Sequence, residues 1–557
     1  MNKFIKFHQN ILSIKFIQLI INFSFYFLKE FSKKYSLYKK YTGFNKKFLL
    51  NKKKSNNKII LVEMFKFNKN ILSLFIWSIF FKKKGYKNFY CYPPKINALY
   101  HPITFFIYKK LGFKFISYFT NYKQEKLVIE IYSRIDFKKI SKKQFLKFKY
   151  KNTKIGDLIY DDYLRFHKKP TIDFEDQKFK DTVKNGIRIA VFWDDYFKKN
   201  NVDYICYSHA VYLIGIPARI SLNFKTSNLN VCGNLTHRIS KKYLHHGDEF
   251  KFLKKTLLKY CKLKKISPKN LLKETENEIK QKMEGKITKL DDLPFYFKKI
   301  YNHKFSKEFE LKTKIIINKN KFNVLIATHD FFEGPNSEGE FIFADYYEWL
   351  KYLFDYASKN NAYNWYIKPH PDFDSIQLKI LKNLIPNKKN IILLPIKTPN
   401  NFLIKNGINF VLTNHGTISP EFAFNNIPTL LCSNSNFFNN LNFAIKSNSL
   451  KEYQHKLDRL DKINIKINKP DVLMYFYYQR HFFNDPIKFK IFPPQTANAN
   501  PIISLDNTVF TDDNSIINGT YNKFYDKEEK LNKIFKIFNF FINNKNLFQL
   551  IDTNKVL

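Results

Sequence analysis

Four histidines in this sequence each follow a short run of strand-forming residues. His209 comes after Val202 to Tyr207, His329 after Val324 to Thr328, His370 after Trp365 to Lys368, and His415 after Phe410 to Thr413. An imidazole at the end of a buried strand sits at the carboxyl edge of a sheet, where open α/β sheets bind ligands. It can donate to an anion there or exchange a proton near neutral pH. In Lys368-Pro-His-Pro371 the two prolines fix the chain on either side of His370, so the ring is rigidly placed to donate to a phosphate oxygen. The bland alternative is a packed structural histidine.

The segment Leu412-Thr-Asn-His-Gly-Thr-Ile-Ser-Pro-Glu421 reads as strand, turn, helix. His415 and Gly416 form the turn, Thr417 and Ser419 offer hydroxyls, and Pro420 stands at a first helical position capped by Ser419. Backbone N–H groups at such a start suit a phosphate, and a glycine lets the chain approach it closely. Glu421 would accept from ribose hydroxyls. An ordinary capped core helix has the same pattern. Thr328-His329-Asp330 precedes a loop with Gly334 and Gly339 and is expected over a cleft. In the first half, Ser208-His209 repeats the strand-end logic, and Asp161-Asp162 offers a general base for a hydroxyl. Asp194-Asp195 lies within a helix and reads as surface. Neither Asp pair has D-x-D spacing, so no metal is expected.

These residues require two α/β series to hold them. In the first, Ile59 to Met64, Phe89 to Tyr92, Val202 to Tyr207 and Ala218 to Asn223 read as strands. Thr182 to Asn200 reads as a helix, and Ile155 to Phe166 as a short apolar segment ending in a turn. Lys251 to Lys312 reads as mostly helical. From Asn323, five strands alternate with helices at Tyr346 to Lys359, Ser375 to Leu384, Asn400 to Lys405 and Pro420 to Phe424. That density is typical of a doubly wound sheet. The expected divisions are a basic, apolar extension over 1–57 and an acceptor-side α/β domain over 58–312. A nucleotide-donor α/β domain over 321–450 and a helical and loop-like extension over 451–557 follow. The fold class expected is α/β and GT-B-like: two doubly wound Rossmann-type domains facing a cleft, with a helical C-terminal extension.

Bulk properties narrow the function classes. A chain of 557 residues that is 44% hydrophobic and 18% aromatic builds real cores. Its net charge of +49 comes nearly all from Lys, alongside abundant Asn, Ile, Phe and Tyr. That pattern fits compositional drift, yet the field still favours anionic partners. The basic residues are spread rather than clustered with aromatics, which argues against nucleic acid. The five cysteines are scattered without a CxxC pair, which fits a reducing cytoplasm. Lys3, Lys6 and Lys15 interrupt the apolar N-terminus, and the apolar run Ile17 to Leu28 is too short to span a bilayer, which takes ~18 apolar residues. It fits either an amphipathic surface anchor or a helix packed on the first domain.

The pair KPHP and N-H-G-T-x-x-x-E, continuing to Pro428, resembles bacterial capsule and surface-polysaccharide synthesis proteins. These include Kdo transferases and, more distantly, CDP-glycerol glycerophosphotransferases and polysialyltransferases. The segments THDFFEGP, GDLIYDDYLR and YSHAVY extend the likeness over about Gly156 to Asn434. The resemblance implies a metal-independent, inverting glycosyltransferase without a cofactor. It implies that His370, Thr417 and Ser419 grip the phosphate of a CMP- or CDP-activated donor while Glu421 meets the ribose, with Lys368, His415 and Gly416 beside them. Asp161, Asp162 or His209 would act on a glycan or lipid-linked acceptor, with Ser208, His329 and Asp330 lining the cleft. A cytoplasmic protein held at the inner face of the cell membrane is implied. The family commonly has glycine five residues after the Glu, where this chain has Asn426. Asn is the next best residue for a left-handed helix end. A nucleotide-sugar epimerase of the same fold and a non-catalytic binding protein are the rival readings.

Overall fold

The computed structural model describes residues 56–64, 77–93, 108–283, 309, 315–480 and a few positions between 535 and 543. Short gaps fall at 110–111, 233–234, 238, 243, 246–247, 249–252, 338, 340 and 434–439. The expected N-terminal anchor and the loop-like Phe492 to Tyr521 lie outside the described residues, as does most of the basic helix over Lys527 to Asn544.

The first sheet is built from β1 (Asn56–Glu63), β2 (Tyr86–Tyr92), β3 (Lys114–Phe115), β6 (Val202–Tyr207), β7 (Ser227–Cys232) and β8 (Leu235–His237). Its order is β3-β2-β1-β6-β7-β8, parallel except for the β7–β8 pair. A two-stranded hairpin, β4 (Lys149–Tyr150) and β5 (Thr153–Lys154), stands apart. The second sheet contains β9 (Phe322–Ala327), β10 (Tyr363–Lys368), β11 (Ile391–Leu393), β12 (Phe410–Thr413) and β13 (Thr429–Leu431). Its order is β11-β10-β9-β12-β13, all parallel. Strands covered on both faces need continuous apolar runs rather than alternation. β10 meets that condition, with all six residues buried.

Helices α1 (Tyr122–Ser133), α2 (Lys142–Leu146), α3 (Gly156–His167), α4 (Gln177–Lys199) and α5 (Ile216–Ser221) surround the first sheet. Asp176 caps α4 by accepting from the Lys178 N–H, and α4 buries Val183, Ile187, Ala190 and Trp193 against α3 and β6. Helices α6 (Leu253–Lys264) and α7 (Pro268–Met283) lead away from it. Around the second sheet lie α8 (Tyr346–Lys359), α9 (Ser375–Leu384), α10 (Asn400–Lys405), α11 (Ile418–Phe424), α12 (Leu450–Leu457) and α13 (Lys469–Arg480). Trp349, Leu353 and Tyr453 fill one face of that sheet, and Phe402, Leu403 and Phe422 the other. Helices on both faces make the sheet doubly wound. Val472 and Phe476 of α13 return to pack on Leu257, Leu271 and Ala423, which ties α6, α7 and α11 together.

The fold is α/β and GT-B-like, with two Rossmann-type sheets. Two local expectations differ from it. Ala218 to Asn223 belongs largely to helix α5, and the neighbouring strand is β7, whose polar Asn228 and Asn230 mask it. A short apolar run does not by its period separate helix from strand, and Pro217 near the helix start favours the helix. Ile155 to Phe166 is a full helix rather than a segment and a turn.

Candidate functional site

Each sheet reverses its strand order beside its first strand. β1 lies between β2 and β6, and β9 lies between β10 and β12. Loops leaving β1 and β6, or β9 and β12, therefore part in opposite directions and open a crevice at the carboxyl edge.

Three predicted histidines converge at the second crevice. The His329 ring centroid lies 5.2 Å from that of His370 and 5.0 Å from that of His415. Tyr346, at the start of α8, joins them 4.6 Å from His329 and with its hydroxyl 3.3 Å from His415 Nε2. The His370 N–H donates to Thr328 Oγ1 at 2.8 Å, which pins the Pro-His-Pro turn to the end of β9. The Asp372 N–H donates to His370 Nδ1 at 3.3 Å. That contact places the ring proton on Nε2 and makes Nε2 a donor. Burial, then the neighbouring His329 and Lys368, lowers His370 to about 3. Burial and His329 likewise push His415 well below the usual histidine range. Both rings are neutral in the physiological range. His329 Nδ1 is buried without a hydrogen bond, 3.4 Å from a Glu333 carboxylate oxygen.

Beneath the histidines lie further polar groups. Asn414 is buried, with its carbonyl oxygen accepting from the His415 N–H and its Nδ2 unpartnered. Ser419 is buried with Oγ unpartnered. α11 begins earlier than expected: Thr417 is at the cap position without a side-chain capping bond, and Ser419 and Pro420 lie inside the first turn. Pro420 is tolerated because first-turn N–H groups have no intrahelical acceptor. A Cβ on Gly416 would stand 3.1 Å from Thr413 Oγ1, a tight contact for which the threonine side chain would have to give by a few tenths of an ångström. Lys368 is buried and donates to the Thr398 carbonyl at 2.8 Å. Burial lowers it to about 8, opposed by Glu421. Glu421 is itself buried and accepts from Asn400 Nδ2 at 2.7 Å. Asp330 caps its own loop by accepting from the Phe332 N–H at 2.8 Å. Asn426 does adopt the left-handed conformation, at φ 60°.

At the first crevice, Ser208 is fully buried and His209 partly exposed, with Ser208 Oγ 2.8 Å from His209 Nδ1. The Ser208 N–H donates to Glu63 Oε2 at 2.9 Å. Glu63 was signalled only by being the one charged residue of the Ile59 to Met64 run. The Asp pair of α3 faces other chain segments. Asp161 accepts from Asn336 Nδ2 at 2.8 Å and from the Asn336 N–H at 3.2 Å. Burial raises Asp161 well above the carboxylate range. Asp162 accepts from the Leu213 N–H at 3.2 Å. Asp194 is buried under Lys151 and Lys198 rather than lying on the surface.

The two halves meet beside these crevices. The Tyr160 hydroxyl and Thr171 Oγ1 both donate to the Asp345 carboxylate that caps α8. Lys142 pairs with Glu348. Tyr212, strained at φ 55°, reaches the Gly334 backbone N–H. Asp161 with Asn336, and Tyr212 with Gly334, bring α3 and the loop after β6 against the loop after β9. A buried ion pair, Asp157 with Arg219 at 2.7 Å, lies within the first half.

No protein-family model matches the chain, and no curated protein is similar to it. Among solved structures, it is similar to a UDP-GlcNAc 2-epimerase from Neisseria meningitidis bound to UDP-GlcNAc. That match has 10% identity and a TM-score of 0.23, and covers 76% of this chain and 98% of that one. A glycosyltransferase from Rickettsia africae matches at 11% identity and a TM-score of 0.23, covering 77% and 93%. The wall teichoic acid polymerase TagF matches at 10% identity and a TM-score of 0.19, covering 83% and 93%. Values this low carry no inference about activity.

Proposed function

We propose that this chain is a glycosyltransferase of capsule-type surface polysaccharide synthesis. It moves a sugar or polyol-phosphate unit from a CMP- or CDP-activated donor to a growing or lipid-linked glycan. One observation carries the reading: neutral His370 and His415, with the unpartnered Asn414 Nδ2 and Ser419 Oγ, surround the switch point of the second sheet. Uncharged, preorganised donors in a buried crevice suit the phosphates of a nucleotide and the charge that grows there as it leaves. Lys368 and Glu421 stand behind them as a buried support, and Gly416 and Thr417 frame the opening. His329 and Asp330 belong to the loop after β9, with His329 among the histidines of the second crevice.

The acceptor enters from the first sheet. Of the three candidate bases, Asp161 and Asp162 are committed to Asn336 and to the Leu213 backbone. His209, partly exposed beside Ser208, is the group assigned to the acceptor hydroxyl. The reading needs no metal. Among the described residues no three His, Cys, Asp or Glu side chains are grouped as ligands. No described helix is long and apolar enough to cross a membrane. The net charge of +49 supports peripheral contact with anionic lipid at the inner membrane face.

The test is a thermal-shift and calorimetric screen of the purified chain with CMP, CDP, UDP and their sugar-linked forms. Saturation at 100 Kd adds about 2.7 kcal/mol of stability. A silent screen, or one in which His370→Ala behaves as the wild type, sinks the donor site. Product analysis with donor alone separates transfer from epimerisation: a changed sugar without acceptor would select the epimerase.

A further inference from the structure

Two neighbouring carboxylates on one helix reach the loops of both crevices. Asp161 and Asp162 are consecutive residues of α3, so their side chains leave the helix roughly 100° apart. Asp161 Oδ1 accepts from Asn336 Nδ2 at 2.8 Å and Oδ2 from the Asn336 N–H at 3.2 Å, in the loop after β9. Asp162 Oδ1 accepts from the Leu213 N–H at 3.2 Å, in the loop after β6. The fit at Asp161 is close, since a Cβ on Gly334 would stand 2.8 Å from Asp161 Oδ2. Glycine at 334 lets the loop lie on the carboxylate. Asp161 is buried beneath it, out of reach of an acceptor hydroxyl.

Each loop carries a histidine close to its anchor. The loop after β6 opens on Ser208-His209, and the loop after β9 on Thr328-His329. Both loops are stiffened between histidine and anchor. In the first, the Gly215 N–H donates to the Val211 carbonyl at 3.1 Å and to the Tyr212 carbonyl at 3.0 Å. In the second, the Phe332 N–H donates to Asp330 Oδ1 at 2.8 Å and the Glu333 N–H to the Asp330 carbonyl at 3.3 Å. A Glu333 carboxylate oxygen then lies 3.4 Å from His329 Nδ1. The loops also touch each other, where the Gly334 N–H meets the Tyr212 hydroxyl. Tyr212 holds φ 55°, an unfavourable conformation for a tyrosine that only firm surroundings maintain.

We propose that Asp161 and Asp162 are positioning residues that brace both crevice loops on α3, so that a nucleotide seated at His329 steadies the loop of His209. Moving either loop moves the shared helix, and with it the other loop. The consequence is an order of events: arrival of the donor prepares the acceptor crevice. That order rests on the donor-site reading above; the brace does not. A carboxylate suits position 161 because Asn336 presents two donors, and an ionised carboxylate is acceptor-only. An amide of the same shape would set its own N–H group against one of them.

The first test needs no ligand. Hydrogen exchange in the full chain is followed on peptides covering 208–216 and 330–337. Asp161→Asn is expected to speed exchange about tenfold at Asn336, its own contact, and measurably at Leu213 as well. Asp162→Ala should do the reverse, speeding Leu213 directly and Asn336 through α3, because coupling is reciprocal. Lys142→Met, which cuts the pair with Glu348, should leave both amides as they are. Variants that loosen only their own loop overturn the brace, and so does a Lys142→Met that loosens both loops equally. If Asp161→Asn does not fold, Asn336→Ala cuts the same contact from the loop side. If Asp162→Ala does not fold, the Asp161 arm decides.

The second test adds whichever of CMP, CDP and UDP binds, at saturation checked by calorimetry. In the wild type the nucleotide is expected to slow exchange at 208–216 as well as at 330–337. In Asp161→Asn it should still bind, with the slowing at 208–216 lost. Slowing that persists in Asp161→Asn, or that is absent from the nucleotide-bound wild type, overturns the donor-first order. If none of the three binds, the donor-site reading and the order fall together, while exchange in the free chain still decides the brace.

Discussion

His370 shows how a single side chain is prepared for an anion. Its proton sits on Nε2 because Nδ1 is occupied by the Asp372 N–H, and it stays neutral because burial and then the neighbouring His329 and Lys368 disfavour its charged form. With a value of about 3, the ring does not titrate in the physiological range. Nucleotide affinity is therefore expected to show no step from His370 between about pH 5 and 8. Isothermal titration across that range checks it, and a loss of affinity centred on the ordinary histidine value would show that the ring is charged. His370→Ala should weaken binding about tenfold or more, the scale of one or two lost hydrogen bonds to a charged group, and His370→Gln should recover part of it.

Glu63 gives the complementary case of a group whose burial costs stability. Its folded value of about 8 lies above the ordinary 4.5, so the folded chain holds the proton more tightly than the unfolded one. The stabilising effect is complete below about pH 4.5 and is lost as pH rises through about 8. Glu63→Gln removes that slope. Its stability relative to the wild type should rise between those limits by up to the order of 3–5 kcal/mol. Urea titrations at several pH values measure the difference, and parallel wild-type and variant curves would contradict the assigned burial cost.

At the scale of elements, α3 joins the two halves, and its start is sterically exact. A Cβ on Gly156 would stand 2.0 Å from the Phe145 carbonyl oxygen and 2.9 Å from the Phe148 backbone nitrogen. Backbone atoms cannot yield as a side-chain tip can. Gly156→Ala should cost about 1–3 kcal/mol or more and shift α3, with Tyr160 and Asp161, away from the second half. Thermal unfolding reads the first effect, and hydrogen exchange at Asn336 the second. A variant as stable as the wild type would mean that the α2–α3 corner relaxes freely. The same scale explains why parts of the secondary structure were readable. Tyr346 to Lys359, Ser375 to Leu384 and Asn400 to Lys405 coincide with α8, α9 and α10: apolar periodicity and the caps Asp345 and Asp374 mark the first two, and Pro399 stands just ahead of the third, which has no side-chain cap. β7 was hidden because its buried Asn228 serves neighbours: it accepts from the Ile239 N–H and from the Tyr207 hydroxyl. Those partners are distant in sequence.

For the whole molecule, the coupling of the halves depends on Asp345. Its buried carboxylate takes bonds from Tyr160, Thr171 and the Glu348 N–H, so it caps α8 and fastens α3 at once. Asp345→Ala removes the cap, worth about 1 kcal/mol, and leaves the Tyr160 hydroxyl buried and unpaired, at about 1–3 kcal/mol. Calorimetry is expected to show the wild-type transition split into two as the halves unfold separately. A single, merely shifted transition would show that Lys142–Glu348 and Asp161–Asn336 suffice to couple them.

The sequence by itself determined the two α/β series and the strand ends on which the histidines stand. It also determined the left-handed residue at Asn426, because local periodicity, proline and cap chemistry act within a few residues of the chain. The tertiary structure decided which strand ends share a crevice. It turned Asp161 toward Asn336, an interval of 175 residues, and joined Glu63 to Ser208 across 145. Such partners are set by strand order and by the closeness of two sheets, and neither is written in any local pattern. The four histidines were therefore legible as separate strand-end residues, while the neutral charge states of His370 and His415, the unpartnered donors beneath them and the carboxyl in the first crevice became visible only in the fold.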